Sequence, residues 1–320
     1  RDRLRSRGLG DVYKRQEQLK FSAGIIPALY QFVEDFCLPD KKVLTLAPAY
    51  GYFLHAAEYN GVELVTSDLK NDNGYFAIDF DDLEKKAADP EVTMMLWCNP
   101  HNPTGRVWTP EELERVAEIA EKNSIWVISD EIHCDLLRTG NHHIPMAKIM
   151  PGYKKLITCM SASKTFNMAG LMHSNIIIRD EKYREYFSAR DKLIGSINPV
   201  SLEAHKAAYQ KGGEWLAQLK EYLDGNFEFM KAYLNENVPD VGCYIPQATY
   251  LAWVDMNRAL PDVEDLCDFF ANEAGVLLEG GDQLFVGNAK GFVRLNLAMP
   301  RSILEEGLKR MSEAIKQHNK

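Results

Sequence analysis

Apolar residues along the chain alternate between short runs of strand length and longer stretches in which they recur every three or four positions. The short runs predict strands, over Val43–Leu46, Val62–Thr66, Met94–Cys98, Ile125–Ser129, Leu156–Met160 and Asn175–Ile178. The longer stretches predict helices from Ser22 to about Phe36, over Asp79–Ala87 and over Pro110–Lys122. This alternation is typical of an α/β fold in which helices cover both faces of a mostly parallel sheet.

From Glu181 onward the pattern changes to helices, and one long helix is predicted from Gly213 to about Asn235. The remaining segment predicts a smaller sheet with helices packed on it, namely strands Thr249–Val254 and Phe292–Ala298 and helices Val263–Glu273 and Arg301–Gln317. We therefore expect a large domain over residues 17–212. A linking helix and a small α+β C-terminal domain are expected over residues 213–320.

Composition narrows the class of protein. The chain has 320 residues, 46% of them hydrophobic, which is enough for a large core divided between two domains. Its net charge of −9 argues against nucleic acid or an anionic membrane as the main partner. The six cysteines form no C-x-x-C pair, which favours reduced thiols in a cytoplasmic enzyme. No apolar run is long enough to cross a bilayer, so a soluble protein is expected.

The first sixteen residues differ from the rest of the chain. They are rich in arginine, whereas the remainder is acidic, and the first methionine is Met94. An arginine-rich targeting segment is one interpretation of such a composition. We favour the other, that residues 1–16 are a non-native leader, and leave them out of the fold prediction.

Two strands are predicted to deliver polar side chains at their ends. Asp130 follows the strand Ile125–Ser129, and Lys164 comes shortly after the strand Leu156–Met160. One carboxylate and one amine so placed are what a pyridoxal phosphate enzyme requires. The amine forms a Schiff base with the cofactor, and the carboxylate keeps the pyridine nitrogen protonated. The alternative for Lys164 is an ordinary solvated surface lysine.

A rigid turn follows the strand Met94–Cys98. The segment Asn99–Arg106 reads Asn-Pro-His-Asn-Pro-Thr-Gly-Arg, and its prolines and glycine end the strand. With Ser129–His133 (Ser-Asp-Glu-Ile-His) and Ser163–Leu171 (Ser-Lys-Thr-Phe-Asn-Met-Ala-Gly-Leu), it resembles the type I fold of pyridoxal phosphate-dependent enzymes. Within the class I/II aminotransferase-like family, the chain is most similar to carbon–sulfur lyases of the PatB/MalY-type cystathionine β-lyase group.

The resemblance implies roles for several residues around the cofactor. Lys164 would form the Schiff base and Asp130 would pair with the pyridinium nitrogen. Asn102 would hydrogen-bond the phenolic oxygen, and Tyr50 would stack on the ring. His133 stands where many aminotransferases have a tyrosine near that oxygen, although a purely structural histidine is an equal alternative.

The phosphate and the substrate would be bound by other positions. The resemblance assigns the phosphate to the backbone of Gly24, Ile25 and Ile26, at the start of a helix, and to Ser161 and Ser163. A glycine at an ordinary helix start is the alternative for Gly24.

The resemblance also assigns Arg294 to the substrate carboxylate, which suits its bidentate guanidinium; a surface ion pair is the alternative. Aminotransferases of the family usually carry an arginine where this chain has Met172, which weakens a transaminase assignment. The loop pair His142 and His143 has no further ligand at metal spacing, so no metal is expected.

These expectations converge on one reaction, the α,β-elimination of a cystathionine- or cysteine-like amino acid to pyruvate, ammonia and a thiol. The alternatives are a class I/II aminotransferase and a non-catalytic regulatory protein that retains the cofactor pocket. The resemblance further implies a homodimer. It also implies that the chain lacks a segment ahead of the phosphate site, so reduced stability and activity are expected.

Overall fold

A computed structural model describes residues 16–194 and 197–320. The predicted leader over residues 1–16 falls outside this range apart from Gln16. The strands are β1 Leu19–Ser22, β2 Lys42–Ala47, β3 Ala49–Tyr50, β4 Glu63–Asp68, β5 Lys70–Asp72, β6 Tyr75–Ala77, β7 Val92–Cys98, β8 Trp126–Asp130, β9 Leu156–Met160, β10 Ser174–Ile178, β11 Gly242–Cys243, β12 Leu251–Asp255, β13 Glu279–Gly280, β14 Phe285–Val286 and β15 Phe292–Asn296.

The helices follow the same chain order. They are α1 Ile25–Phe36, α2 Gly51–Tyr59, α3 Phe80–Ala87, α4 Pro110–Lys122, α5 Met146–Ile149, α6 Ala162–Thr165, α7 Glu181–Ile194, α8 Pro199–Lys211, α9 Gly213–Asn237, α10 Leu266–Phe269, α11 Gly281–Leu284 and α12 Arg301–His318. Helix α4 has the predicted bounds because Thr109 and Glu112 form a reciprocal capping box and Pro110 occupies the first turn.

A seven-stranded sheet runs in the order β1-β10-β9-β8-β7-β2-β4. The five strands from β9 to β4 pair in parallel, whereas β10 is antiparallel to β9 and β1 is antiparallel to β10. The prediction of a mostly parallel sheet is therefore confirmed. Parallel strands carry their carboxyl ends to one edge, so β7, β8 and β9 deliver the residues that follow them to the same side of the molecule.

Helices cover both faces of this sheet. Alternate residues of β7 belong to opposite apolar clusters, since Met94 packs with Phe32 of α1 and Trp97 packs with Val116 of α4. Because both faces are buried, β7 is an almost continuous apolar run rather than an alternating one.

A four-stranded antiparallel sheet, in the order β11-β12-β15-β13, forms near the C-terminus. Its apolar face packs against α9 and α12. The strand predicted from Thr249 begins only at Leu251, because Thr249 has a positive φ of 74° that a strand cannot contain. The helix predicted over Val263–Glu273 is wrong in its first part, since α10 begins at Leu266 after an Asp265 cap and then widens into a π-helical turn.

The two sheets are joined through the turn at Asn99–Arg106. The Gly105 carbonyl accepts a hydrogen bond from Ala248 N at 2.9 Å, and Gln247 Oε1 accepts from Arg106 Nε at 3.2 Å. Gly105 has a φ of +66°, and a Cβ built there would overlap Pro246 and lie 2.9 Å from the Ala248 carbonyl oxygen. A glycine is therefore required at this approach.

We expect Gly105→Ala to lower the free energy of unfolding by more than Gly140→Ala. Gly140 also has a positive φ, +86°, but no atom lies within 4 Å of a Cβ built there. Gly140→Ala therefore reports backbone strain alone, about 1 kcal/mol, whereas Gly105→Ala adds overlap with Pro246, about 1–3 kcal/mol more. Urea unfolding of both variants measures the difference, and equal losses would contradict the prediction.

Candidate active site

Asp130 is the last residue of β8, and the sheet register places it between Cys98 of β7 and Cys159 of β9. Its side chain is buried, with 9% exposed, and its Oδ1 accepts a hydrogen bond from Ile132 N at 3.2 Å. Burial raises the pKa of its carboxyl to about 7, although the Lys164 charge acts in the opposite direction. The hydrogen bond from Ile132 N and the charge of Lys164 favour the ionised form, but burial outweighs both, so a further cation close by would stabilise the carboxylate.

Lys164 follows β9 in the short helix α6 and faces a cavity of about 810 Å³, together with Tyr50, Tyr250 and Arg294. Its charge acts on the pKa of both Asp130 and His133, so the structure brings the predicted amine and carboxylate together. Lys164 follows Asp130 by 34 residues in the chain, and the two come together because β8 and β9 are parallel neighbours.

His133 is buried just beyond β8, with 2% exposed. Burial, with the positive charges of Lys164 and Arg294, lowers the pKa of its imidazole to about 3, so the ring is neutral at physiological pH. Its Nδ1 is a buried polar atom with no hydrogen-bond partner among the described residues. Such an atom is costly unless a ligand satisfies it.

Asn102 and Arg294 meet from the two sheets. Arg294 Nη1 donates to Asn102 Oδ1 at 2.8 Å, and Arg294 Nε donates to Glu279 Oε2 at 2.6 Å. The Arg294 guanidinium also lies 5.8 Å from the centre of the Tyr50 ring. Burial raises the pKa of the Tyr50 hydroxyl to about 12, so it remains protonated.

The residues predicted to contact the phosphate lie on adjoining elements. Gly24 caps α1 with a φ of 130°, and no side-chain cap is present among the residues that the structure describes, so backbone N–H groups at Gly24, Ile25 and Ile26 can bind an anion. Strand β1, which leads into Gly24, pairs Ser22 with Ser174 of β10.

The two predicted serines lie beside β10 as well. Ser161 Oγ donates to the carbonyl of His173 at 2.7 Å and accepts from Ser163 N at 3.1 Å. The Ser161 hydroxyl proton is thus already donated to a backbone carbonyl. The Ser163 hydroxyl makes no comparable hydrogen bond among the described residues.

One of the two loop histidines is bound by a buried acid. His143 Nε2 lies 2.9 Å from Oε2 of the fully buried Glu131. Glu131 also accepts from Ser129 Oγ at 2.9 Å and Met146 N at 3.0 Å, so it anchors the following loop. Within residues 16–194 and 197–320, no group of three or more His, Cys, Asp or Glu side chains could hold a metal ion.

Two residues of the cavity carry no sequence signal that we used. The Tyr250 ring centre lies 6.1 Å from that of His133, and Glu279 pairs with Arg294. Neither belongs to the motifs described above. An acidic residue that precedes an arginine by two strands in the chain can be recognised as its partner only when the register of the sheet is known.

Comparison with known proteins places this geometry in a family. The sequence profile of the family described as aminotransferase class I and II matches residues 7–311. The chain belongs to this family. Its relatives include the cystathionine beta-lyase PatB of Bacillus subtilis, 39% identical over 303 residues, covering 93% of this chain and 78% of that protein. Protein MalY of Escherichia coli is 35% identical over 300 residues, covering 92% and 76%.

Solved structures of the family agree. A PLP-bound C-S lyase from Staphylococcus hominis superimposes with a TM-score of 0.92 at 42% identity, covering 98% of this chain and 82% of that one. Cystalysin from Treponema denticola, solved with pyridoxal 5'-phosphate, has a TM-score of 0.93 at 32% identity, with coverage of 98% and 82%. The predicted type I fold is thereby confirmed. No helix of the described residues is long and apolar enough to cross a membrane.

We expect the stability of the cofactor-free protein to depend on pH through Asp130. The pKa of this carboxyl is about 7 when folded and 3.8 in its ordinary state, so the folded form holds the proton more tightly. Its contribution to stability is therefore present below about pH 4 and is lost as pH rises towards 7, by about 1.4 kcal/mol per unit of pKa shift.

Asp130→Asn removes this titration. The variant should gain stability relative to the wild type between pH 5 and pH 8, because it no longer buries a charge at the higher pH. Chemical unfolding of both cofactor-free proteins at several pH values measures the difference. A difference that does not change with pH would contradict the buried, raised-pKa carboxyl.

Proposed function

We propose that the protein is a pyridoxal phosphate-dependent carbon–sulfur β-lyase that acts on amino acids with sulfur on Cβ, such as cystathionine or cysteine. The observation that carries the proposal is the meeting of Asp130 and Lys164 at neighbouring strand ends, with Arg294 lining the same cavity as Lys164. This constellation occurs in a chain that is 39% identical to a cystathionine beta-lyase and 42% identical to a C-S lyase.

The cofactor is pyridoxal 5'-phosphate, as family membership and the PLP-bound neighbours indicate. The pocket fits it, because Asp130 is a buried carboxylate that requires a cation and His133 leaves a buried nitrogen unsatisfied. We assign the ring nitrogen to Asp130, the phenolic oxygen to Asn102 and His133, and the ring face to Tyr50.

We assign the phosphate to the N-terminus of α1, through the backbone of Gly24, Ile25 and Ile26, and to Ser161 and Ser163. The free N–H groups and the positive end of the helix dipole suit an anion. Because Ser161 Oγ already donates to a carbonyl, its hydroxyl would have to rotate to donate to a phosphate oxygen, and Ser163 is the stronger candidate.

When bound, the cofactor supplies a conjugated, protonated ring that can accept the electron pair left on Cα. Asp130 would hold the proton on the ring nitrogen. The substrate amine would take the place of the Lys164 amine on the cofactor, and the freed Lys164 amine would take the Cα proton as general base. The Cβ–S bond would then break and sulfur would leave as a thiolate. The three-carbon remainder then reacts with water to give pyruvate and ammonia.

Arg294 orients the substrate by its carboxylate. The guanidinium is 7% exposed, faces the same cavity as Lys164, and is fixed by Asn102 on one side. Holding the carboxylate there restricts which Cα substituent faces the lysine amine. Once the proton has been removed, departure of sulfur competes with return of the proton to Cα.

An aminotransferase would share the early steps and differ in the fate of the proton. Met172, which stands where aminotransferases of the family usually carry an arginine, is 60% exposed and has a φ of 45°. It cannot provide a charged phosphate contact. Release of pyruvate without a keto-acid cosubstrate distinguishes elimination from transamination.

The third possibility is a purely regulatory protein. The presence of Lys164, Asp130 and Arg294 argues against it.

We further propose that the protein is a cytoplasmic homodimer that takes a small sulfur-containing amino acid as its substrate. The support is the resemblance of its motifs to those of the lyase group, its acidic composition, and its cysteines, which are thiols rather than disulfides in the part of the chain that the structure describes. Light scattering of the purified protein tests the dimer independently of activity.

We expect Lys164→Ala to abolish thiol and pyruvate release from cystathionine, because the general base and the cofactor-linking amine are lost together; a fall of at least about 10³-fold is expected. Lys154→Ala is the control, since Lys154 is exposed and lies on the loop before β9. Thiol and pyruvate are assayed with added pyridoxal phosphate.

Two outcomes would contradict this function. Thiol release by Lys164→Ala at the wild-type rate would show that this lysine is not the base. Formation of keto acid only when a second keto acid is supplied would identify an aminotransferase.

A further inference from the structure

The Arg294 guanidinium is already paired with a carboxylate of its own chain. Strands β13 and β15 are antiparallel, and their register pairs Glu279 directly with Arg294. Arg294 Nε donates to Glu279 Oε2 at 2.6 Å, and Arg294 Nη2 contacts the same oxygen. Directly paired residues of an antiparallel sheet project from the same face, so the contact follows from the backbone register.

The pairing leaves little of the guanidinium available. Nη1 is bound to Asn102, while Nε and Nη2 both face Glu279. An incoming carboxylate that binds in bidentate fashion needs two adjacent N–H groups. Of the two edges that offer such a pair, Nε–Nη2 faces Glu279, and on the other, Nη1–Nη2, the Nη1 group already donates to Asn102. A carboxylate that binds through the Nε–Nη2 edge therefore has to replace Glu279.

The two partners differ in their freedom to move. The Arg294 side chain is 7% exposed, whereas 48% of the Glu279 side chain is exposed. Strand β13 is only two residues long and follows Leu277, which is 89% exposed. Glu279 can therefore turn towards solvent and be hydrated, while Arg294 remains buried and in need of an anion.

We propose that Glu279 is a displaceable internal carboxylate that occupies the substrate-carboxylate position on Arg294 until a substrate replaces it. This rests on the proposed function in one respect, that Arg294 binds the substrate carboxylate. A substrate then binds only to molecules in which Glu279 has left Arg294. Its apparent affinity is therefore reduced in proportion to the fraction of such molecules.

The exchange keeps Arg294 paired while a substrate binds. A ligand with its own carboxylate replaces one anion by another, so Arg294 remains paired throughout. A ligand without a carboxylate leaves Glu279 in place and gains no contact with Arg294, because removal of Glu279 alone would leave a buried cation unpaired. Arg294 therefore contributes to the binding of α-amino acids and not to that of the corresponding amines.

The experiment uses propionate, which has a carboxylate but no amine to react with the cofactor. Its dissociation constant from the cofactor-loaded protein is measured by ligand-observed NMR titration at fixed salt. In Glu279→Gln the competing charge is gone, and propionate should bind roughly threefold more tightly, as expected for a half-exposed ion pair. In Arg294→Gln propionate binding should be lost.

Glu306→Gln is the matched control. Glu306 lines the same cavity and its side chain is 53% exposed, but it pairs with Arg310 at 2.8 Å rather than with Arg294. It changes the net charge of the cavity by the same amount and should leave the affinity for propionate unchanged. In turnover, Glu279→Gln should lower KM for cystathionine by a similar factor with little change in kcat.

Several results would overturn the proposal. These are unchanged or weaker propionate binding in Glu279→Gln, an equal gain in Glu306→Gln, or propionate binding that persists in Arg294→Gln. The proton-transfer chemistry is tested separately, because propionate titration reports the Arg294 site whether or not the protein releases pyruvate.

Discussion

Asp130 is held at the buried end of β8, where loss of hydration raises the pKa of its carboxyl to about 7. The remaining features of the site can be understood from this one constraint. A carboxylate in that position is stable as an anion only beside a cation, and the parallel register of β8 and β9 brings Lys164 close enough to act on it. A protonated pyridine nitrogen would supply a second cation. The pocket is therefore poorly satisfied without its cofactor and better satisfied with it.

Glu131, the residue after Asp130, has a different role from Asp130. The Glu131 carboxylate is bound by Ser129 Oγ, Met146 N and His143. These contacts satisfy Glu131 within the fold, whereas Asp130 has one backbone donor. Adjacent side chains at a strand end point to opposite sides, so one acid anchors a loop and the other remains available to a ligand.

The sequence predicted this arrangement where local patterns determine it. Helix α4 and strand β9 have their predicted bounds because a capping box and an uninterrupted apolar run define them. Strands such as β13 and β14 were not predicted, since two residues carry no periodicity and form only by pairing with β15 and β3. The late start of β12 depends on the positive φ of Thr249, whose backbone N–H and carbonyl are hydrogen-bonded to Leu136 and Arg138, far away in the chain.

The same distinction applies to the site. Asp130, Lys164 and Asn102 lie in motifs that can be read along the chain, but the partners that tune them come from elsewhere. Glu279 reaches Arg294 through sheet register, and Tyr250 approaches His133 across the two sheets. Both contacts therefore combine one residue assigned from the sequence with one partner fixed by tertiary structure.

Charge balance links these two sites. Burial, together with the charges of Lys164 and Arg294, lowers the pKa of His133, so this ring stays neutral. The pocket therefore carries two cations, which face Asp130 and Glu279. Asp130 is buried and must keep a cation beside it, while Glu279 is half exposed and can leave without stranding its charge. An amino acid brings one anion and one cation, and only the exchange at Arg294 lets it enter without leaving a buried charge unpaired. Recognition of the substrate carboxylate thus follows from the difference in exposure between the two acids.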